Sequence, residues 1–391
     1  MLTSLAFIFL LGLTLGSIFQ KLKLPSLVGM LLTGMILSPY ALNLLDNSIL
    51  SISPDLRKLA LVIILTRAGL ALDIEDLKKV GRPAILMCFV PASFELLGVV
   101  LLAPKLLGVS IIEAAIIGTV LAAVSPAVIV PRMLKLMEKG YGTKKSIPQL
   151  IMAGGSVDDV YVIVLFTSFT ALAGGGTVSG GKFLQIPIAI LAGIILGIAI
   201  GIILVKFFQL FHMRDSVKVL ILLSTSFLLI ALEKKLEAFL PLSGLIAVVS
   251  LSATILKKYD VLAKRLSLKF NKLWVAAEVL LFVLVGATVD LKYVQAAGIQ
   301  AVLLIIGALV FRMAGVLVSL VRTPLTVKER LFCIIAYTPK ATVQAAIGAI
   351  PLSMGLPAGH IILTVAVLSI LITAPLGAVG IDRTYKKLLT N

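Results

Sequence analysis

The chain has 391 residues, of which 60% are apolar and only 14% charged, and its formal net charge is +17. A soluble domain carries roughly 25% charged residues, so this composition, with a mean hydropathy of +1.15, describes an all-α polytopic membrane protein. The basic balance does not point to nucleic acid, because the charges fall in short gaps between apolar runs and no basic domain with interleaved aromatics occurs.

The N-terminal run MLTSLAFIFLLGLTLGSIF lacks a positive leader and a clear cleavage site, so it reads as a true span rather than a signal peptide. Crossing the hydrocarbon core takes about 20 apolar residues. Cutting the chain at charged and Gly/Pro-rich gaps gives thirteen spans: 3–20, 27–42, 57–72, 83–103, 111–137, 147–172, 184–205, 217–232, 240–256, 273–289, 299–320, 331–352 and 358–379. The loops after odd-numbered spans, with the C-terminal tail, hold 25 of the 35 Lys and Arg residues, against 7 on the other side and 3 within spans. The positive-inside rule then places the N-terminus outside and residues 380–391 in the cytoplasm.

Along the chain, Arg67 in LTRAGLALD is expected to snorkel to the cytoplasmic interface or to pair with Asp73. Cys88 and Cys333 fall in separate apolar runs and need not pair. Glu95 lies near the centre of the fourth span, whereas Glu113 lies near an outer edge. The fifth span contains AAVSPAVIVP, interrupted by Pro126 and Pro131 and carrying Ser125. The loop RMLKLMEKGYGTKK (132–145) reads as positive-inside anchoring.

The sixth span contains GGSVDDVYVI, with Asp158 some 11 residues past residue 147 and so roughly 16 Å along the helix. Each acid at mid-bilayer costs on the order of 2.5–3.5 kcal/mol. A carboxylate there can hold a proton or a small hard cation, but poorly both at once, which suffices for proton-coupled cation exchange. Neighbours on a helix point about 100° apart, so Asp158 and Asp159 need not face one partner.

Further on, His212 is a lone loop histidine and Glu278 lies near an inner span edge, where an access funnel could reach it. Arg312, in ALVFRMAGV, is central in the eleventh span and is expected to form a structural ion pair with Glu95, since each alone is prohibitive there. The twelfth span contains AYTPKATVQAA, broken at Pro339, with Lys340, Thr342 and Gln344 beside the break. Lys340 is placed to compensate helix ends or to pair with an aspartate, and Ser125, Thr342 and Gln344 are candidate oxygen ligands. The two breaks lie seven spans apart, so if spans 1–6 repeat as spans 8–13 the second copy is inverted. Broken helices at matching places in inverted halves mark a transporter's mid-membrane site.

The segments LVIILTRAGLALD, VSPAVIVPRML, GGSVDDVYVI, LVGATVDL and TPKATVQAAIG, in this order over most of the chain, resemble the cation:proton antiporter superfamily with the NhaA-type fold. Within it, the chain is most similar to the NHA clade of sodium/proton exchangers. The resemblance implies a homodimer, inverted repeats with two crossing broken helices, and elevator-like movement of an ion-carrying core (about 83–172 and 299–379) against a scaffold (about 1–72 and 206–289), joined by a linker helix at 184–205. It implies that Asp159 is the main ion ligand and proton carrier, that Asp158 is its partner interacting with Lys340, and that Glu95 and Arg312 form an ion bridge. It also implies a role in pH homeostasis, Na+ or Li+ and H+ as substrates, no resident cofactor and no enzymatic activity; the clade spans bacteria and animals, and the expected location is a bacterial or archaeal cell membrane. The chain ends at Asn391 without a nucleotide-binding domain after the last span, an expectation that disfavours Kef-type ligand-gated potassium efflux.

Three alternatives stand beside this reading. Potassium/proton exchange keeps the fold and changes the ion. A sodium-coupled organic-anion symporter builds its sodium sites mainly from neutral oxygens and glutamates, leaving the aspartate pair unexplained. An intramembrane aspartyl protease needs acids on two helices and typically a GxGD segment, and no Gly-Asp dipeptide occurs here.

Overall fold

The computed structural model describes residues 1–70, 80–174, 180–236 and 242–390. Among these residues every regular element is helical, as an apolar chain requires when no water is present to satisfy its backbone. In order they are α1 (Leu2–Lys21), α2 (Ser26–Leu37), α3 (Asn47–Leu70), α4 (Arg82–Met87), α5 (Val90–Leu107), α6 (Ile111–Ala122), α7 (Pro126–Glu138) and α8 (Ile147–Gly174). They continue as α9 (Gly180–Leu210), α10 (Asp215–Leu236), α11 (Gly244–Lys258), α12 (Asp260–Ala287), α13 (Leu291–Ser319), α14 (Val327–Ala336), α15 (Thr342–Ile347), α16 (Ile350–Ser353) and α17 (Gly359–Leu388).

Each of the thirteen apolar segments contains helix, but among the described residues only nine helical stretches are long and apolar enough to cross a membrane by themselves. The α2 helix has 12 residues and α11 has 15, short of the roughly 20 needed. The helices α14 to α16 are separate pieces within the twelfth segment. Large aliphatic side chains such as Leu10, Ile195, Ile203 and Leu228 stay exposed, the surface that lipid covers.

The described chain falls into two compact units. The first comprises residues 1–54, 73–173 and 279–391, and the second residues 55–72 and 174–278. In the second, Gly193, Gly197 and Gly201 recur every fourth residue on α9 where the backbone of α11 comes close, leaving no room for a Cβ. The first unit carries both broken helices. There α5 packs on α13, and Gly98 and Gly315 permit the approach, since a Cβ on either would strike Phe311 or Pro91 and Phe94. This contact sets Glu95 and Arg312 side by side.

The two broken helices begin alike. Ser110 caps α6 with Glu113 reciprocating, and Thr326 caps α14 with Glu329 reciprocating, a complete capping box at each start. The first helix ends at Ala122, runs extended through Ala123 to Ser125, and restarts with Pro126 in the first helical turn. Proline suits that position because its missing N–H would be unpaired there anyway. Pro131 does not break the span, contrary to the sequence expectation: it lies inside α7 and removes one backbone donor only. The second helix ends at Ala336 and restarts at Thr342, with Pro339 in the non-helical stretch between. The two breaks touch: the Ser125 N–H donates to the Pro339 carbonyl at 2.8 Å.

Candidate functional site

A chain of alternating charges crosses the first unit beside the breaks. Lys340 Nζ lies 2.7 Å from Glu95 Oε1 and 2.8 Å from Oε2. Arg312 Nη1 donates to Glu95 Oε2 at 2.9 Å, and Nη2 donates to Asp158 Oδ2 at 3.0 Å. All four side chains are at most 1% exposed. Asp158 Oδ2 also accepts the Val124 N–H at 2.9 Å. Two cations thus meet two anions, and each buried charge has a hydrogen-bonded counter-ion, the condition under which such charges are tolerated.

Asp159 stands outside this chain. It is 6% exposed, it joins no salt bridge among those the described residues form, and its Oδ1 has no hydrogen-bond partner. The rotation of about 100° between neighbours explains the division, since a helix that turns Asp158 to Arg312 must turn Asp159 elsewhere. Ser125 Oγ, Thr342 Oγ1 and Asp158 Oδ1 are likewise buried without partners. Like Asp159 Oδ1 they are oxygens, the donor type that hard cations take.

The carbonyls freed by the first break are taken up by donors from the second half of the chain. Gln344 Nε2 lies 3.1, 3.3 and 2.9 Å from the carbonyl oxygens of Val120, Leu121 and Ala123. Lys340 Nζ donates to the Leu121 carbonyl and Arg312 Nη1 to the Ala122 carbonyl. These are the C-terminal carbonyls of a half-helix, which have no intrahelical partner and attract positive charge.

Two sequence expectations need correction. Lys340 is bonded to Glu95, whereas Asp158 is bonded to Arg312, whose planar fork spans Glu95 and Asp158 together as no lysine can. Gln344 turns its amide nitrogen to the break, so the oxygen-ligand reading does not describe its contacts. Glu95 and Arg312 are paired, and Pro126 and Pro339 lie at the two breaks.

Sequence reasoning passed over Tyr337, whose ring lies under the Arg312 guanidinium at 5.2 Å, whose carbonyl accepts from Arg312 Nε at 2.7 Å and whose hydroxyl donates to the Met87 carbonyl. The aromatic beside Thr338-Pro339 was the available signal. It also passed over Thr373, which accepts the Lys340 backbone N–H at 2.9 Å, and Gly154, where a Cβ would collide with the Tyr337 hydroxyl. The stretch 132–145, read from sequence as a loop, is helical as far as Glu138 and is docked: Arg132 pairs with Asp382, Lys145 with Glu329, and Lys139 lies over Tyr385. In the second unit Arg67 interacts electrostatically with Glu278, while Asp73 lies outside the described residues.

A family model described as "Sodium/hydrogen exchanger, transmembrane" matches residues 5–387. Sodium/hydrogen exchanger 9B2 of Homo sapiens is 34% identical over 382 residues, covering 94% of this chain and 70% of that protein. Sodium/hydrogen exchanger 9B1 of Homo sapiens is 32% identical over 397 residues, covering 96% and 76%. Among solved structures, the sodium proton antiporter MjNhaP1 from Methanocaldococcus jannaschii at pH 8 superposes with a TM-score of 0.84 at 21% identity, covering 99% of this chain and 98% of that one. At that identity the likeness concerns the fold.

Proposed function

The chain belongs to the sodium/hydrogen exchanger family, and from that membership we propose that it exchanges Na+ (or Li+) for H+ at the Asp159 carboxylate. It is an integral membrane protein and a secondary active antiporter. The observation that carries the site is Asp159 itself: a buried acid with no salt-bridge partner, next to a chain in which every other buried charge is matched. A proton or a monovalent cation satisfies that carboxylate equally well in charge, and the two compete for it. Asp158, committed to Arg312 and the Val124 N–H, lends its second oxygen and holds its neighbour's position. One exchangeable carboxylate gives one proton per cation.

Ser125 and Thr342 complete the donor set, Lys340 and Arg312 neutralise Glu95 and Asp158, and alternating access follows from movement of the ion-carrying helices against the scaffold within a homodimer. The 25-to-7 distribution of basic residues favours an N-terminus outside and a C-terminus in the cytoplasm, and the proposed location is a bacterial or archaeal cell membrane.

The test is cation-induced proton movement in proteoliposomes with Na+, Li+ and K+ in turn. Asp159→Asn is expected to abolish it for every cation, because an amide neither carries the proton nor neutralises the ion. Full activity in that variant sinks the assignment, and a response to K+ alone replaces sodium by potassium as the substrate.

A further inference from the structure

The peptide unit joining Ala123 to Val124 is gripped from both sides. Its carbonyl accepts from Gln344 Nε2 at 2.9 Å, and its N–H donates to Asp158 Oδ2 at 2.9 Å. Gln344 is wholly buried, and the same nitrogen reaches the carbonyls of Val120 and Leu121. Its orientation is dictated chemically, for the reversed amide would set an oxygen acceptor against three carbonyl oxygens. Gln344 Oε1 has no hydrogen-bond partner among the described residues, so the side chain's polar contacts all go to the first break.

We propose that Gln344 is a positioning residue for cation exchange: it fixes the Ala123–Val124 peptide plane so that the N–H faces Asp158 and the extended segment carrying Ser125 keeps its place. This rests on the reading of the acid pair as the exchange site and adds a residue that touches neither acid. The extended stretch between α6 and α7 has no helical ladder to hold its peptide planes. Without a donor on the Ala123 carbonyl, the plane is free to rotate. Rotation takes the N–H off Asp158 and brings a carbonyl oxygen toward it, where oxygen meets oxygen and the geometry offered to a cation changes. Gln344 therefore sits in the second broken helix, yet acts on the acid pair through a backbone unit of the first.

The experiment is the Na+ dependence of proton exchange in proteoliposomes for Gln344→Met, which keeps length and volume but has no donor, and Gln344→Asn, which keeps the amide but is one methylene too short. Both are expected to raise the apparent KM for Na+ by ~3–10-fold, the loss of one ordinary hydrogen bond's effect, while Vmax stays within about twofold of wild type. An unchanged KM overturns the proposal, whether or not Vmax falls, since a structural role alone lowers the amount of working protein without changing its affinity. If a variant reconstitutes poorly, the Na+ concentration that half-maximally protects the purified protein against heat gives the same comparison without transport. A wild type that shows no Na+-dependent proton movement is a failure of the exchange reading, whereas a responsive wild type with unaltered variants is a failure of the Gln344 assignment.

Discussion

At mid-span depth, residues 83–172 carry Glu95, Asp158 and Asp159, whereas residues 299–379 carry Arg312 and Lys340. Both stretches contain a helix that starts with a capping box and breaks at a proline, Pro126 in one and Pro339 in the other. Aligning the prolines sets Ala127 opposite Lys340. The first half thus presents oxygen, as carboxylates and as freed carbonyls, and the second presents nitrogen. Every buried ion pair at the site runs from one half to the other. An inverted repeat with matched backbones but opposite charges ties its halves together, and with three acids against two bases it leaves one carboxylate over. The surplus acid is what an exchanger needs, and it arises from the asymmetry rather than from the repeat.

The largest expected effect tests whether the second half's two cations are equivalent. Arg312→Met leaves Asp158 without an ion partner and frees the carbonyls of Tyr337 and Ala122, so a loss of roughly 3–5 kcal/mol is expected. Lys340→Met leaves Glu95 still bonded to Arg312 and should cost roughly 1–3 kcal/mol. Thermal unfolding of the purified variants ranks the two. Lys340 proving the costlier removal would break the picture of Arg312 as the hub.

A smaller effect concerns Tyr337, an aromatic of the second half whose hydroxyl lies against Gly154 of the aspartate helix. Gly154→Ala drives a methyl into the Tyr337 hydroxyl and Met87, whereas Gly155→Ala meets only Val124 Cγ1 at 3.1 Å. Overpacking of this kind costs typically 1–3 kcal/mol, and because Tyr337 underlies Arg312, Gly154→Ala should lower exchange activity as well as melting temperature. Equal tolerance at both glycines would show that Tyr337 yields easily and does not hold the guanidinium.

The breaks, the acid pair and the depth at which the charges gather were legible from spacing, because proline and intramembrane charge each leave a mark that counting finds. Pairing was not. Counting at 1.5 Å per residue places Glu95, Arg312 and Lys340 at one level but says nothing of rotation about the helix axes, and Lys340 sits in a non-helical stretch where even the periodicity is lost. Hence Lys340 bonds Glu95 rather than the aspartate foreseen for it, while Arg312 keeps the foreseen Glu95 and reaches Asp158 as well. Gln344 shows the same limit, since a side-chain amide can offer either end and only its surroundings choose. Pro131 shows a different one: a proline in a span predicts a lost donor, yet a helix can absorb that loss where its neighbours pack it. The basic loop 132–145 read as an anchor because its charges fit the topology rule, which hid the docking of Arg132 and Lys145 onto specific acids.

The smallest effect separates the two capping glutamates. Each reaches beyond its own helix to the lead-in of the other half's last helix: Glu113 Oε1 accepts the Ala358 N–H before α17 at 3.1 Å, and Glu329 Oε2 accepts from Lys145 before α8 at 2.8 Å. The partners differ in kind, a neutral backbone amide in one case and an ammonium in the other. Both bonds go to a carboxylate, but only Lys145 brings an opposite charge to it; a partly exposed ion pair adds roughly 0.2–1 kcal/mol, so Glu329→Gln should destabilise more than Glu113→Gln by about that amount. Glu329 precedes the apolar span, and although burial pushes its carboxyl up, the hydrogen bonds from Lys145 and Thr326 outweigh that and hold it below the ordinary 4.5. A depressed folded value means the stabilisation is complete above the unfolded value and is lost only as pH falls through the folded one. The gap between wild type and Glu329→Gln in melting temperature should therefore stay flat from about pH 6 to 8. It should close only in acid below about pH 4.5. A gap that opens progressively between pH 6 and 8 would mean that Glu329 titrates in the working range, and its contact with Lys145 would then be a pH-responsive element rather than a fixed one.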